Sequence, residues 1–154
     1  MKKVFIIALS IFSFSLSFPI LAVKKDEKKS DSVTTINWPT LRELNYKTGT
    51  MTPKLKALDG QVIGIAGYMV PFEDNQEQVT EFILVPDPLA CIHVPAPPPN
   101  QMFYVKVLKT VKTKVRFTPI WVSGKFHLQT NDSPYGKISF YLEANSVDDF
   151  KGAD

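Results

Sequence analysis

The chain has 154 residues, 44% of them hydrophobic and 21% charged, with a formal net charge of +3. That is the balance of one ordinary soluble domain. From Val33 onward twelve bases meet twelve acids, and a neutral domain gains little from counterion release, so nucleic acid is excluded as a partner class.

The N-terminus has a composition of its own. Lys2 and Lys3 precede an apolar run from Val4 to Val23, broken only by serines and Pro19, with Ala22 just before the polar KKDEKKSD. A basic start, an apolar stretch and a small residue read as a cleavable signal peptide over 1–22. The expected location is therefore periplasmic or secreted. An uncleaved anchor is the alternative, since about 20 apolar residues can span a bilayer. On either reading the membrane is met only through this segment. Residues 23–35 are charged and serine-rich and read as a disordered tether. A single domain is expected over 36–154.

Trp38 is expected to anchor the start of the ordered chain, and Thr40 to Leu44 to make one helical turn. Asp59-Gly60 signals a turn. Gln61 to Phe72 reads as a long strand, with Gly64 and Gly67 marking a bulge or a sharp coil that lets it serve both sides of a small barrel. Val79 to Val85 and Met102 to Val107 read as the second and third strands. In Leu108 to Phe117 the spacing of Leu108, Val111 and Val115 predicts a short amphipathic helix with a basic, solvated face. Pro119 to Gln129 follows as a strand with a bulge at Gly124. The last strand is Lys137 to Asn145, with Ile138, Phe140 and Leu142 turned inward, and Ser146 to Asp154 is an acidic exit. Five β-runs and one short helix point to a mainly β domain, a small five-stranded Greek-key barrel of OB type.

Unusual chemistry is concentrated between Pro86 and Gln101, which holds the one cysteine, Cys91, and one of two histidines, His93. Pro97, Pro98 and Pro99 fix φ near −65° and offer no N–H, so the segment is stiff and extended. Successive side chains of an extended chain alternate in face, which places Cys91 and His93 on one side with Cα atoms about 7 Å apart. A lone cysteine in an oxidising compartment makes no internal disulfide. It is a metal ligand, a reactive or intermolecular thiol, or a small buried hydrophobe.

The blocks Leu58-Asp59-Gly60, Ile65-Ala66-Gly67-Tyr68-Met69-Val70-Pro71, Glu81-Phe82-Ile83-Leu84-Val85-Pro86, Ala90-Cys91-Ile92-His93-Val94-Pro95, Pro97-Pro98-Pro99-Asn100-Gln101 and Pro119-Ile120-Trp121-Val122-Ser123-Gly124 resemble an uncharacterised family of exported bacterial proteins, domain of unknown function 3299. The likeness runs from about Trp38 to Phe150. The family brings no established activity. Some of its members lie beside genes for transporters that respond to zinc scarcity, and the resemblance thereby implies metal handling in the envelope.

Thiolate and imidazole suit zinc or copper, so Cys91 and His93 are the expected metal ligands, with zinc the expected ion. His127 is the candidate third ligand, although alternation along its strand turns it outward with Lys125; Asp87, Glu81 and Glu143 are carboxylate candidates. The alternative is a metal-free module that docks an envelope protein or transporter on Pro97, Pro98, Pro99, Asn100 and Gln101, beside Phe103, Tyr104 and Trp121. A cysteine-dependent enzyme would use Cys91 as nucleophile and His93 as base. Neighbours of that kind on one strand project in parallel, and prolines rather than a helix N-terminus follow the thiol. The chain is therefore read as a non-enzymatic accessory or binding protein.

Overall fold

The computed structural model describes residues 32–72, 77–89 and 96–152. Cys91 and His93 lie outside the described residues, as does the 1–22 segment.

Short extended pieces come first. β1 (Thr34–Thr35) runs parallel to the start of β2 (Val62–Pro71), so order begins inside the segment expected to be tether. Asn37 caps α1 (Trp38–Leu41) by accepting the Thr40 N–H, and Pro39 sits in its first turn, where no N–H is missed. Thr52 caps α2 (Pro53–Lys56) in the same way through Leu55 N–H. The remaining strands are β3 (Glu81–Val85), β4 (Phe103–Val107), β5 (Ile120–His127), β6 (Asn131–Ser133), β7 (Gly136–Ile138) and β8 (Phe140–Asp149). A 3-10 turn, Pro99–Gln101, leads into β4.

Five of these strands close on themselves in the order β2-β3-β4-β8-β5, with β5 pairing back to β2. The β4–β8 pair is parallel, and the other four contacts around the ring are antiparallel. The chain is mainly β, a closed five-stranded barrel with a few short helices. Closure depends on β2 changing partner along its length. Val62 to Gly67 pair with β5, whereas Tyr68 to Pro71 pair with β3. The register runs without a slip through Gly64 and Gly67, so neither is a bulge. They are sites of close approach: a Cβ at Gly67 would lie 2.8 Å from the Val85 carbonyl oxygen, and the strand turns from one partner to the other there.

Inside the barrel, alternate residues of every strand bury Ile63, Ile65, Phe82, Leu84, Val105, Val122 and Leu142 to 1% exposure or less. Phe103 is at the centre. Its ring lies 5.8 Å from Trp38, 5.8 Å from Phe126 and 5.5 Å from Phe140. Trp38 also donates its indole N–H to the Ala66 carbonyl at 2.8 Å, which makes it the anchor of the N-terminal arm. A second apolar cluster sits on the outer face, where Ile83, Val85, Met102 and Ile138 are buried with Tyr68, Val70, Phe72 and Tyr104 packed on them.

Two local expectations are corrected. Leu108 to Phe117 contains no helix. Val111 and Val115 are four apart, a spacing that both a helical turn and a two-residue alternation satisfy. The intervening Thr113 is buried and Lys112 and Lys114 are exposed, so the alternation of an extended chain prevails, and the Thr113 carbonyl accepts Val79 N–H at 2.9 Å. Branched Thr110, Val111, Thr113 and Val115 favour that outcome. The final strand is also displaced: Ile138 belongs to the β6–β7 hairpin, and β8 continues to Asp149 through the supposed acidic exit. Asp148 and Asp149 are on its exposed end, opposite Trp121 and Ile120.

Candidate functional site

The Pro-rich segment ends in side chains that hold the arm. Asn100 donates to the Leu44 carbonyl at 2.8 Å, Gln101 donates to the Trp38 carbonyl at 3.4 Å, and Arg42 Nε donates to Gln101 Oε1 at 3.1 Å. Both amides are buried, at 8% and 6% exposure. On the other flank Ser139 N–H donates to the Pro99 carbonyl at 3.0 Å. The turn is thus tied to the arm on one side and to the chain between β7 and β8 on the other. Of the five residues expected to face a partner, Asn100 and Gln101 bind the chain's own arm. Pro98 is exposed and Pro97 and Pro99 are half-buried.

Beside this turn opens a cleft of about 520 Å³, lined by Arg42, Glu43, Tyr46, Lys47, Thr50 and Asn100 among others. Its outer wall is a tight loop. Asn45 Oδ1 accepts from Lys47 N–H at 3.0 Å and Thr48 N–H at 3.2 Å, and Asn45 N–H closes the loop on the Thr50 carbonyl at 2.8 Å. Gly49 completes it at φ +77°, in a conformation that disfavours any other side chain. Glu43 is held by the Thr52 hydroxyl, which links the loop to the cap of α2. Among the described residues the lining offers a guanidinium, an ammonium, a carboxylate, amides and hydroxyls. Such a set is chemically suited to polar chain or an anionic group. In the sequence, Tyr46 to Pro53 is a turn-rich stretch. The signal it carried was Asn45 followed by Thr48-Gly49, an Asx-type loop flanked by charges.

His127 lies on the outer face, half-buried, in register with Tyr141, their rings 5.6 Å apart. Among the described residues no group of three or more His, Cys, Asp or Glu side chains comes together as a metal cage. Asp87 accepts Leu89 N–H at 2.8 Å. Glu81, Lys106, Glu143 and Lys125 follow one another across β3, β4, β8 and β5 with alternating sign. Glu81 Oε1 meets Lys106 Nζ at 2.9 Å, and its other oxygen accepts from the Tyr104 hydroxyl at 2.6 Å.

The Tyr104 hydrogen bond, joined by Lys106, holds the Glu81 carboxyl below the usual range. Burial, followed by that same bond, pushes the Tyr104 phenol up to about 12. A raised phenol pKa gives stability that is complete below the unfolded value near 10 and is lost as pH rises toward 12. Absorbance titration is expected to show Tyr104 ionising late, beside a Tyr141 phenol that burial also raises, and Tyr104→Phe to remove one of these late steps. For Glu81 the sign reverses: its contribution is present above the unfolded pKa of about 4.3 and disappears as pH falls through the lowered folded value. In Tyr104→Phe the carboxyl should titrate nearer the ordinary range, as followed by carbon NMR.

A family model for a protein of unknown function, DUF3299, matches residues 22–149. Among solved structures, the chain is similar to the crystal structure of a DUF3299 family protein from Pseudomonas aeruginosa PAO1. That likeness has a TM-score of 0.63 at 27% identity, and covers 80% of this chain and 99% of that one. No curated protein matches the sequence. The match takes in the arm, the Pro-rich turn, the cleft and nearly all of the barrel, and the chain belongs to the DUF3299 family.

Proposed function

We propose that the chain is an exported, periplasmic accessory protein that docks an extended segment of an envelope partner across the Pro97–Pro99 ridge and the adjoining cleft. The observation that carries this is the immobilised turn. Its amides are spent on Leu44 and Trp38, and its Pro99 carbonyl on Ser139. A surface fixed in this way loses little entropy when a partner arrives, and prolines offer a flat apolar edge beside the polar cleft. The strand order supports an OB-type Greek-key barrel: β5 returns beside β2 to give β5-β2-β3-β4, and β8 closes the ring. Barrels of that type bind through one face and its loops.

The test is site-specific photo-crosslinking in the envelope of cells expressing the full chain. Probes at Pro98 and Lys47 should give the same discrete adduct, and a probe at Lys137, on the β6–β7 hairpin, should not. Asn100→Ala leaves the Leu44 carbonyl without its donor. It should lower stability by about 1–3 kcal/mol and weaken both adducts. Adducts no stronger than that from Lys137 would remove the proposal.

A second reading keeps the thiol and imidazole of Cys91-Ile92-His93, whose spacing suits two donors to one zinc ion, with His127 as third ligand. His93 is four residues before Pro97, within about 14 Å of it along the chain, so a metal site would adjoin the same docking surface. Native mass spectrometry is expected to find one retained zinc, lost in Cys91→Ser and in His93→Ala and weakened in His127→Ala. Equal retention in all of them would end this reading.

A further inference from the structure

One part of the barrel surface carries aromatic side chains that neither the cleft nor the core uses. Trp121 stacks on Phe150 with centroids 6.1 Å apart and planes 17° from parallel. Gly64 makes room beneath the indole: a Cβ there would lie 2.3 Å from Trp121 Cζ2 and 3.0 Å from Val33 Cγ1, so Val33 borders the same patch. Val33 is 47% exposed and Phe150 39%. Phe117 is 83% exposed, the most of any large apolar side chain among the described residues. It lies two residues before Pro119, whose carbonyl accepts Phe150 N–H at 3.1 Å. The acid nearest in sequence to Phe150, Asp149, is paired with Arg116 at 2.9 Å, and Asp148 is in register with Trp121, so the patch has an acidic border.

The sequence indicates what covers this surface. Val33 is the point at which the N-terminal segment joins the barrel, and nine residues, 24–32, separate it from the apolar run Val4–Val23. Nine extended residues reach about 30 Å. On a chain that keeps the apolar run as an anchor, Val33, at the border of the aromatic patch, is within that reach of the lipid. Tryptophan favours the boundary between water and hydrocarbon, and exposed phenylalanine adds apolar area there. The four tether lysines, Lys24, Lys25, Lys28 and Lys29, set against Asp26, Glu27 and Asp31, leave one net positive charge toward headgroup phosphates. We propose that the apolar run is retained as the anchor, the second of its two readings, and that Trp121, Phe117, Phe150 and Val33 rest on the surface of the membrane it enters, so that the barrel meets the lipid as well.

The two tryptophans make this measurable in the full chain. Trp38 is packed on Phe103 with its N–H bonded to Ala66, and it serves as an internal reference. The full-length protein is reconstituted in phosphatidylcholine vesicles whose acyl chains are brominated close to the headgroup. Most of the Trp121 emission, taken as the difference between the wild type and Trp121→Phe, should be lost to quenching, while the Trp121→Phe chain keeps its emission. Phe117→Asp changes an exposed position and leaves the anchor in place, and it should restore much of the Trp121 signal. Wild-type emission unaffected by bromine, or quenching that survives Trp121→Phe, would overturn the proposal.

Discussion

Replacing Gly124 with alanine is expected to cost about 3 kcal/mol or more, because an added methyl group meets backbone more closely here than at any other glycine. A Cβ at this position would lie 2.2 Å from the Glu143 carbonyl oxygen and 2.7 Å from Ala144 Cα. Both are backbone atoms of β8, so no rotamer change relieves the contact. β8 cannot back away either, because Glu143 and Ala144 are also in register with Lys106 and Val107 of β4. The crowding has a visible origin. Ser123 pairs with Ser146 while Gly124 pairs with Ala144, which leaves Asn145 as the extra residue of a bulge. Ser123 Oγ fixes that bulge, donating to Asn145 Oδ1 at 2.9 Å with the Ser146 hydroxyl 2.8 Å away. Urea unfolding should show a lower midpoint for Gly124→Ala at an unchanged slope. Gly152→Ala, where a Cβ meets nothing within 4 Å, should stay within about 0.5 kcal/mol of wild type. Equal midpoints for the two variants would mean that β5 and β8 do not meet in this register.

The contrast between those glycines also shows what the sequence could reveal. A glycine inside a β-run signals that something comes close, and at Gly124 the bulge expectation and the structure agree. The same signal at Gly64 and Gly67 predicts a bulge or a sharp coil, and the structure keeps the second at Gly67, where β2 changes partner with no slip in register. One sequence cannot say whether the close neighbour is an indole, a carbonyl or an irregular ladder. The five barrel strands were legible through alternation of apolar residues on a half-buried sheet. In Leu108 to Phe117 alternation and helical spacing coincide at Val111 and Val115, and only the carbonyl–amide link to Val79 decides between them. The candidate site was legible in part. Three prolines predict a stiff, extended segment, but nothing local distinguishes Asn100 and Gln101 from outward contacts. Their role depends on Leu44 and Trp38, which are 56 and 63 residues away, and no local pattern announces a partner at that distance.

Phe103→Ala should destabilise the chain by about 3–5 kcal/mol, and its consequences should reach the cleft. The ring has no exposed surface and is enclosed by Trp38, Phe126 and Phe140. Phe126 and Phe140 are held by β5 and β8, which are paired with each other, so neither can move inward to fill the space without breaking barrel register. The cavity therefore stays open, and cost grows with residual volume. Trp38 is the one neighbour free to respond, because it lies on the arm rather than in the ring of strands. Its movement would strain the Ala66 hydrogen bond and shift the carbonyl that Gln101 uses, loosening α1 and the Arg42–Lys47 wall of the cleft together. The expected signature is a lower urea midpoint with a red-shifted Trp38 emission, read in a Trp121→Phe background, and a weaker adduct from the Lys47 probe. Phe103→Leu, which keeps most of the volume, should lose only about 1–2 kcal/mol and leave the Trp38 emission near its wild-type position. If Phe103→Ala lowers the midpoint without moving that emission, the arm is held independently of the core, and the cleft wall owes its position to Asn100 and Gln101 alone.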